Sequence, residues 1–329
     1  IYRSQDQGNT WQPSNNGLQN RDIRLLSISP QANQNLILAA SFKGELYKSN
    51  DQGVNWQKIP NFNHRVTAIA FTQDSSNTII IGDNKGNIYK SQDDGEKWEK
   101  TVSIKNSGAI NTIAISPNYN SDQTYLIGTE KSGIFKTQDQ GKSFTEINQG
   151  LTDKYIIDIV FTPLNNGKSQ VFASTWQEGF FYSDNLGDTW NQNKEGIVKD
   201  EQADQLKQSH FYDLEIPANY NENQTIFLGG FNGLFKSSDG GKQWQEKESL
   251  ANRTIVSMAI SPNYQNDGKV AIANYVGFPY LTTDQGASWQ ASTKGLESPR
   301  FTRKFDFGGQ DPRRFFDIAF SPNYVSDNT

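Results

Sequence analysis

Three aspartates, Asp158, Asp213 and Asp317, fall in one column when the apolar runs of the chain are aligned on a recurring Ser-Pro signature, with Thr112 and Ser257 elsewhere in that column. Carboxylates brought together beside a channel could serve as the acid and base of glycoside cleavage, their separation deciding retention or inversion. The more ordinary use of such an aspartate is to satisfy backbone N–H groups or a neighbouring arginine. A second set is cationic: Arg24, Arg65, Lys154, His210, Arg253, Arg313 and Arg314 each stand just before an apolar run. Converging on one mouth, they would hold a carboxylate, sulfate, phosphate or acidic surface; dispersed, they are solvated turn residues. A third set lies after the second apolar run of each unit, with Lys43, Lys85 and Lys131 in the first three units and Trp176, Phe231 and Tyr275 in the next three. Aromatic platforms beside polar groups suit sugar rings or apolar partner side chains, and their plain alternative is packing under neighbouring loops.

Composition narrows the chemistry. The 329 residues contain no cysteine and two histidines, which removes thiol catalysis, disulfides and the common zinc sites. No metal or cofactor is expected. The net charge of −5 gives no case for nucleic acid as a partner, and no apolar run reaches membrane-spanning length. Only 34% of residues are apolar while 12% are aromatic, a balance that suits short amphipathic strands joined by polar turns.

The elements that must position these residues follow from a repeat. The phrase YKSQDDGEKW at 89–98 recurs as Ser/Thr-x-Asp-x-Gly-x-x-Trp/Phe, seven times, beginning at Ser4, Ser49, Ser91, Thr137, Ser183, Ser237 and Thr282. Spacings of 45, 42, 46, 46, 54 and 45 residues, with four short strands per unit, predict blades of a β-propeller. Within the phrase, glycine supplies positive φ in a tight hairpin, the aspartate accepts turn N–H bonds, and the aromatic plugs the seam between sheets.

The phrase resembles the Asp-box, or BNR, repeat. The matching residues are Asp6, Gly8 and Trp11; Asp51, Gly53 and Trp56; Asp93, Gly95 and Trp98; Asp139, Gly141 and Phe144; Asn185, Gly187 and Trp190; Asp239, Gly241 and Trp244; and Asp284, Gly286 and Trp289, with Asn185 replacing the usual aspartate. The resemblance implies that these residues are structural, on the hairpin between third and fourth strands and away from the ligand face. Counting boxes gives an all-β fold of seven four-stranded antiparallel blades. The units span about 21–60, 64–104, 109–151, 155–197, 211–250 and 253–296, and a seventh is split between 1–20 and 313–329 in a single domain. One second strand of that split blade is missing, so the expectation is either an incomplete blade or a piece of a longer chain.

Two long connections, 199–210 and 296–316, precede first strands and belong to the mouth-bearing face; Arg303 joins the cationic set there, and 299–314 is the segment best chosen for mutation. Among Asp-box families, sialidases resemble six-bladed propellers with an arginine triad that has no counterpart placed here. Xyloglucanases pair two seven-bladed propellers with aspartates across the cleft. Sorting receptors are larger, and the photosystem II assembly factor resembles this chain in size, box spacing and basic patch. The expected role is a non-catalytic, bacterial, extracytoplasmic propeller that binds a protein or glycan ligand, anionic ligands included. The alternatives are a glycoside hydrolase, or half of a two-propeller one, and an assembly-factor-like protein.

Overall fold

The computed structural model describes all residues except 32–34, 75, 77, 194, 198–209 and 297–314. Six four-stranded antiparallel sheets follow one another along the chain, at 23–58, 66–103, 110–146, 156–193, 211–246 and 255–291. In each, strands pair in sequence order, and the first strands of neighbouring sheets touch around a common axis. The second strands are the most buried, as in Tyr125–Thr129, where all five residues are inaccessible. A strand sandwiched by its own sheet and by the sheets on either side has no wet face. That is why these segments read as continuous apolar runs rather than alternating ones.

The expectation of seven blades is overturned: six complete blades form. The N-terminal box lies in a two-stranded hairpin, Tyr2–Arg3 paired with Gln12–Pro13. The alternating run 315–320, expected to share a blade with that hairpin, forms no ladder. The physical reason is pairing. A first strand is bonded only through the second strand of its own sheet, and among the described residues none lies between 315–320 and Tyr2–Arg3. Both segments nevertheless sit between the sixth and first blades. Trp11 N donates to Lys294 O (2.9 Å), Gln7 N to Asn328 O (2.9 Å), and Trp56 N to Asn16 O (2.8 Å).

The boxes are built as their chemistry requires. In the second, Gly53 N donates to Ser49 Oγ (2.9 Å), Ser49 Oγ to Asp51 Oδ1 (2.7 Å), and Asn55 N to the same Oδ1 (2.8 Å). Asn185 keeps the scheme, accepting from Thr189 N (3.0 Å) and donating through Nδ2 to Thr189 Oγ1 (2.9 Å). Buried indoles close the seams between blades: Trp190 Nε1 reaches Ile147 O (2.8 Å), and burial of such a ring stabilises by on the order of 3 kcal/mol.

Two further inter-blade devices appear. A Gly-Leu/Ile pair ends several units, and at Gly150 a Cβ would stand 2.1 Å from Trp190 O of the next blade. Third-strand cations also reach forward to the next box: Arg3 to Gln52 Oε1 (2.8 Å), Lys48 to Glu96, Lys90 to Gln140 O (3.0 Å), Lys136 to Asp188, and Lys236 to Gln285 O (2.8 Å).

Three one-turn helices follow first strands, Tyr119–Asp122, Tyr220–Asn223 and Tyr264–Asp267, and a fourth, Tyr324–Asp327, follows 315–320. Each buries its tyrosine. In three of them a serine upstream donates to the helix aspartate, as Ser116 Oγ does to Asp122 Oδ2 (2.6 Å).

Candidate functional site

Strand topology sorts the candidates by end. The boxes and the first-to-second-strand turns share one end of each sheet, and the other end carries the starts of first strands and the second-to-third-strand turns. Arg24, Arg65, Lys154, His210 and Arg253, together with Trp176, Phe231 and Tyr275, therefore lie on the end opposite the boxes. Arg303, Arg313, Arg314 and the segment 299–314 lie outside the described residues, as does 199–209.

On that end, cations and rings are stacked. Phe42, 45% exposed, has the guanidinium of Arg65 4.2 Å from its ring centre and that of Arg24 at 5.0 Å. Arg24 also lies 3.6 Å from the ring of Phe316, which meets Tyr275 edge-on at 5.8 Å. Asp22 pairs with Arg24 (2.7 Å), whereas Arg65 makes no ion pair among the described residues. A second stack places Trp176 between Tyr155 (5.3 Å) and His210 (4.3 Å), with Tyr212 against its edge (5.5 Å). The Tyr212 hydroxyl is pushed up by burial, then by Tyr275 and Tyr155. Phe231, 46% exposed, stands beside the second stack, with its N–H on His210 O (2.7 Å). Arg253 covers Tyr280 (4.7 Å), and Lys154 faces Glu146 at 3.4 Å, both exposed. Lys43, Lys85 and Lys131 are exposed. The sequence reading passed over Phe42, Tyr155, Tyr212 and Phe316. Phe42 adjoins Lys43 in the turn that was read, and its signal is an aromatic directly after the second strand, the place that Trp176, Phe231 and Tyr275 hold in later blades.

Two of the three aspartates, Asp158 and Asp213, follow backbone bulges in first strands, and Asp317 lies in 315–320, which forms no ladder. Register shifts at Ile156/Asp158 and Phe211/Asp213 turn N–H groups away from the ladder, and the carboxylates take them up. Asp158 Oδ1 accepts from Ile159 N (2.8 Å) and, across the seam, from Thr112 Oγ1 (2.8 Å). Asp213 accepts from Leu214 N (3.1 Å) and from Met258 N of the next blade. Asp317 bridges both neighbours, accepting from Leu26 N (2.7 Å) and Ser257 Oγ (2.9 Å). Glu215, which the sequence reading missed, joins them.

Each of the four carboxyls keeps some solvent contact, yet protein surrounds them, and they sit close enough to repel. Burial pushes Asp158 and Asp317 up to about 6. Burial, then the charges of Asp158 and Asp317, pushes Glu215 up to about 8. Asp213 is raised well above the usual range by burial, then by Glu215 and Asp158. No group of three or more metal-ligating side chains occurs among the described residues, and no helix there is long and apolar enough to cross a membrane.

The family model of the photosynthesis system II assembly factor YCF48 matches residues 1–268. The chain belongs to this family. Solved members of the YCF48 family share the fold. YCF48 from Cyanidioschyzon merolae is 16% identical with a TM-score of 0.57, over 82% of this chain and 84% of that one. YCF48 bound to D1 peptide is 14% identical with a TM-score of 0.62, over 93% and 92%. An ancestral GH74 enzyme is 16% identical with a TM-score of 0.69, and this chain, matched over 88% of its own length, spans 43% of that enzyme. The extracellular domain of a putative hybrid two-component system from B. thetaiotaomicron is 17% identical with a TM-score of 0.65, over 92% of this chain and 36% of that one. At these identities the likeness is one of fold. No curated protein matches the sequence.

Proposed function

We propose that this member of the YCF48 family is a non-catalytic propeller that holds an extended, carboxylate-bearing polypeptide segment on the face opposite its boxes, outside the cytoplasm. The observation that carries this reading is a pair of stacks on one end, Arg65–Phe42–Arg24–Phe316–Tyr275 and Tyr155–Trp176–His210 with Tyr212. Rings with a guanidinium on one face present a flat apolar surface and a fixed positive charge together, the pairing that receives peptide carboxylates and aromatic side chains. Family membership supports the reading, as does the D1 peptide held by one solved YCF48. The extracellular domain among the similar structures agrees with the compartment.

Glycoside hydrolysis is the competing reading, favoured by the GH74 likeness and by four carboxyls near the axis. Against it stand the bonds of Asp158, Asp213 and Asp317, each engaged by backbone N–H groups or hydroxyls of a neighbouring blade. A general acid must present its proton to the leaving group, and a carboxyl that clamps two blades is poorly placed for that.

The test is fluorescence anisotropy with a labelled Asp- and Tyr-rich peptide. Arg24→Ala/Arg65→Ala is expected to weaken binding at least about tenfold and to flatten its salt dependence, with Asp158→Asn neutral. Unchanged binding in the double variant overturns the reading. So does release of sugar from xyloglucan that Asp158→Asn or Asp213→Asn abolishes.

A further inference from the structure

The stack Tyr155–Trp176–His210 belongs to one seam and is not a product of the repeat. In all six blades the residue after the second strand donates its N–H to the residue before the first, as Trp176 N does to Tyr155 O (2.9 Å) and Phe231 N to His210 O (2.7 Å). Asp22, Arg65, Ala109 and Thr254 hold that earlier place in the other four blades, so only the fourth and fifth put rings there. Those rings cross the seam. Tyr155 and His210 take the two faces of Trp176, with interplanar angles of 16° and 19°.

Trp176 therefore has no face left for a ligand, and what the stack presents is its end ring, His210. His210 Nδ1 lies 3.1 Å from Trp176 O. A carbonyl only accepts, so Nδ1 carries the proton of the neutral imidazole, and Nε2 keeps a lone pair and no hydrogen. Nε2 points away from that carbonyl, and no described residue bonds it. The stack fixes the part-exposed ring by its face and the carbonyl fixes it by its edge, so the lone pair has a set direction. The neighbouring carboxylate is already spent: Asp153 accepts from Tyr155 N (2.9 Å) through Oδ1 and from Gln177 N (2.8 Å) through Oδ2. The exposed ring of Phe231 is tied to the same place by its backbone bond to His210.

We propose that His210 and Phe231 form a subsite for an aromatic side chain that carries its own donor, which it gives to Nε2 while its ring lies against Phe231. The subsite rests on the reading above, that this face holds a polypeptide segment, and it adds a second anchor to that segment: a carboxylate goes to Arg24 and Arg65, a donor-bearing ring to His210. Specificity follows from the acceptor. A hydroxyl can turn to suit either partner, but this nitrogen can only accept. A phenylalanine would cover it and leave it unpaired, and a carboxylate would set lone pair against lone pair.

The probe is the labelled Asp- and Tyr-rich peptide, together with a copy in which every Tyr is Phe, titrated into the whole chain at pH 7.5, where histidine side chains are ordinarily neutral. Wild type is expected to hold the Tyr peptide about tenfold more tightly than the Phe peptide. His210→Phe, which keeps a ring in the stack, should bring the two affinities within about twofold. Phe231→Ala should weaken both peptides alike and leave their ratio. Nitrogen NMR reads the same contact without a variant: the His210 Nε2 signal should move with the Tyr peptide and stay with the Phe peptide, and it decides the matter if His210→Phe fails to fold. Equal affinities in wild type, a preference that survives His210→Phe, a proton found on Nε2 in place of Nδ1, or Phe231→Ala without effect overturns the subsite. Any of these leaves the wider reading standing if Arg24→Ala/Arg65→Ala still weakens both peptides. No binding of either peptide to wild type overturns both.

Discussion

Gly150→Ala is expected to destabilise the propeller by about 3 kcal/mol or more, lowering its melting midpoint by roughly 5 °C or more. Two effects add. The residue sits at φ +94°, which costs a side chain about 1 kcal/mol. The new Cβ would also stand 2.1 Å from Trp190 O, a backbone atom that cannot step aside, because Trp190 N is bonded to Gln149 O (2.8 Å) and its indole to Ile147 O (2.8 Å). Relief would mean opening the seam between the third and fourth blades. Gly167→Ala separates the effects, because Gly167 has φ +77° with nothing near its Cβ direction, and about 1 kcal/mol is expected there. Equal losses at the two sites, read by thermal or urea melts, would mean that the close approach is not what the seam depends on. Gly17, Gly196 and Gly295 make the same approach to Trp56, Trp244 and Trp11, so the result should carry around the ring.

Stability is expected to fall as pH rises from about 5 to about 8. In the folded chain Asp158 and Asp317 hold their protons up to about 6 and Glu215 up to about 8, whereas the unfolded chain releases them near 4. Between those limits the native state binds more protons than the unfolded one, so each unit of pH in the window favours unfolding. For Glu215 the full span corresponds to on the order of 3–5 kcal/mol. The groups facing it, Asp158, Asp213 and Asp317, are all acidic, so nothing among them offsets the charge. Glu215→Gln is expected to be more stable than wild type at pH 8, about equal at pH 5, and flatter in between. Urea midpoints that stay level or rise across the same range in wild type would refute the crowding of these carboxyls. The boxes act in a separate window. Bonds from Ser288 hold Asp284 down near 2, and Asp139 is lowered likewise by Ser143, so their stabilisation is present at neutral pH and lost only as pH falls below about 4.

The sequence told most about what is local. A box is closed by bonds four residues apart, so Ser, Asp and Gly at fixed offsets announce it without help from the rest of the fold. The same locality explains the error in blade number. The first box makes every one of its bonds, Gly8 N to Ser4 Oγ (2.7 Å) and Thr10 N to Asp6 Oδ1 (2.8 Å) among them, on a hairpin of two strands. Counting boxes therefore counted hairpins, while a blade needs a ladder of four strands. The aspartate column was visible, but its use was not, because a bulge that frees the N–H of Met258 or Leu26 leaves no mark on composition. Glu215 was hidden by reading its run as ordinary strand alternation. Phe42 and Phe316 were hidden because a stack of rings and guanidiniums is assembled by three distant segments, one of them at the far end of the chain.

The forward-reaching side chains described above also imply where the ring is weakest. Hooks run from Arg3, Lys48, Lys90, Lys136 and Lys236, but the matching position is Tyr182 in the fourth blade and Leu281 in the sixth, and neither can donate a cationic grip. Under tension or partial denaturation the circle should thus part into two arcs, hinged at the fourth-to-fifth and sixth-to-hairpin seams.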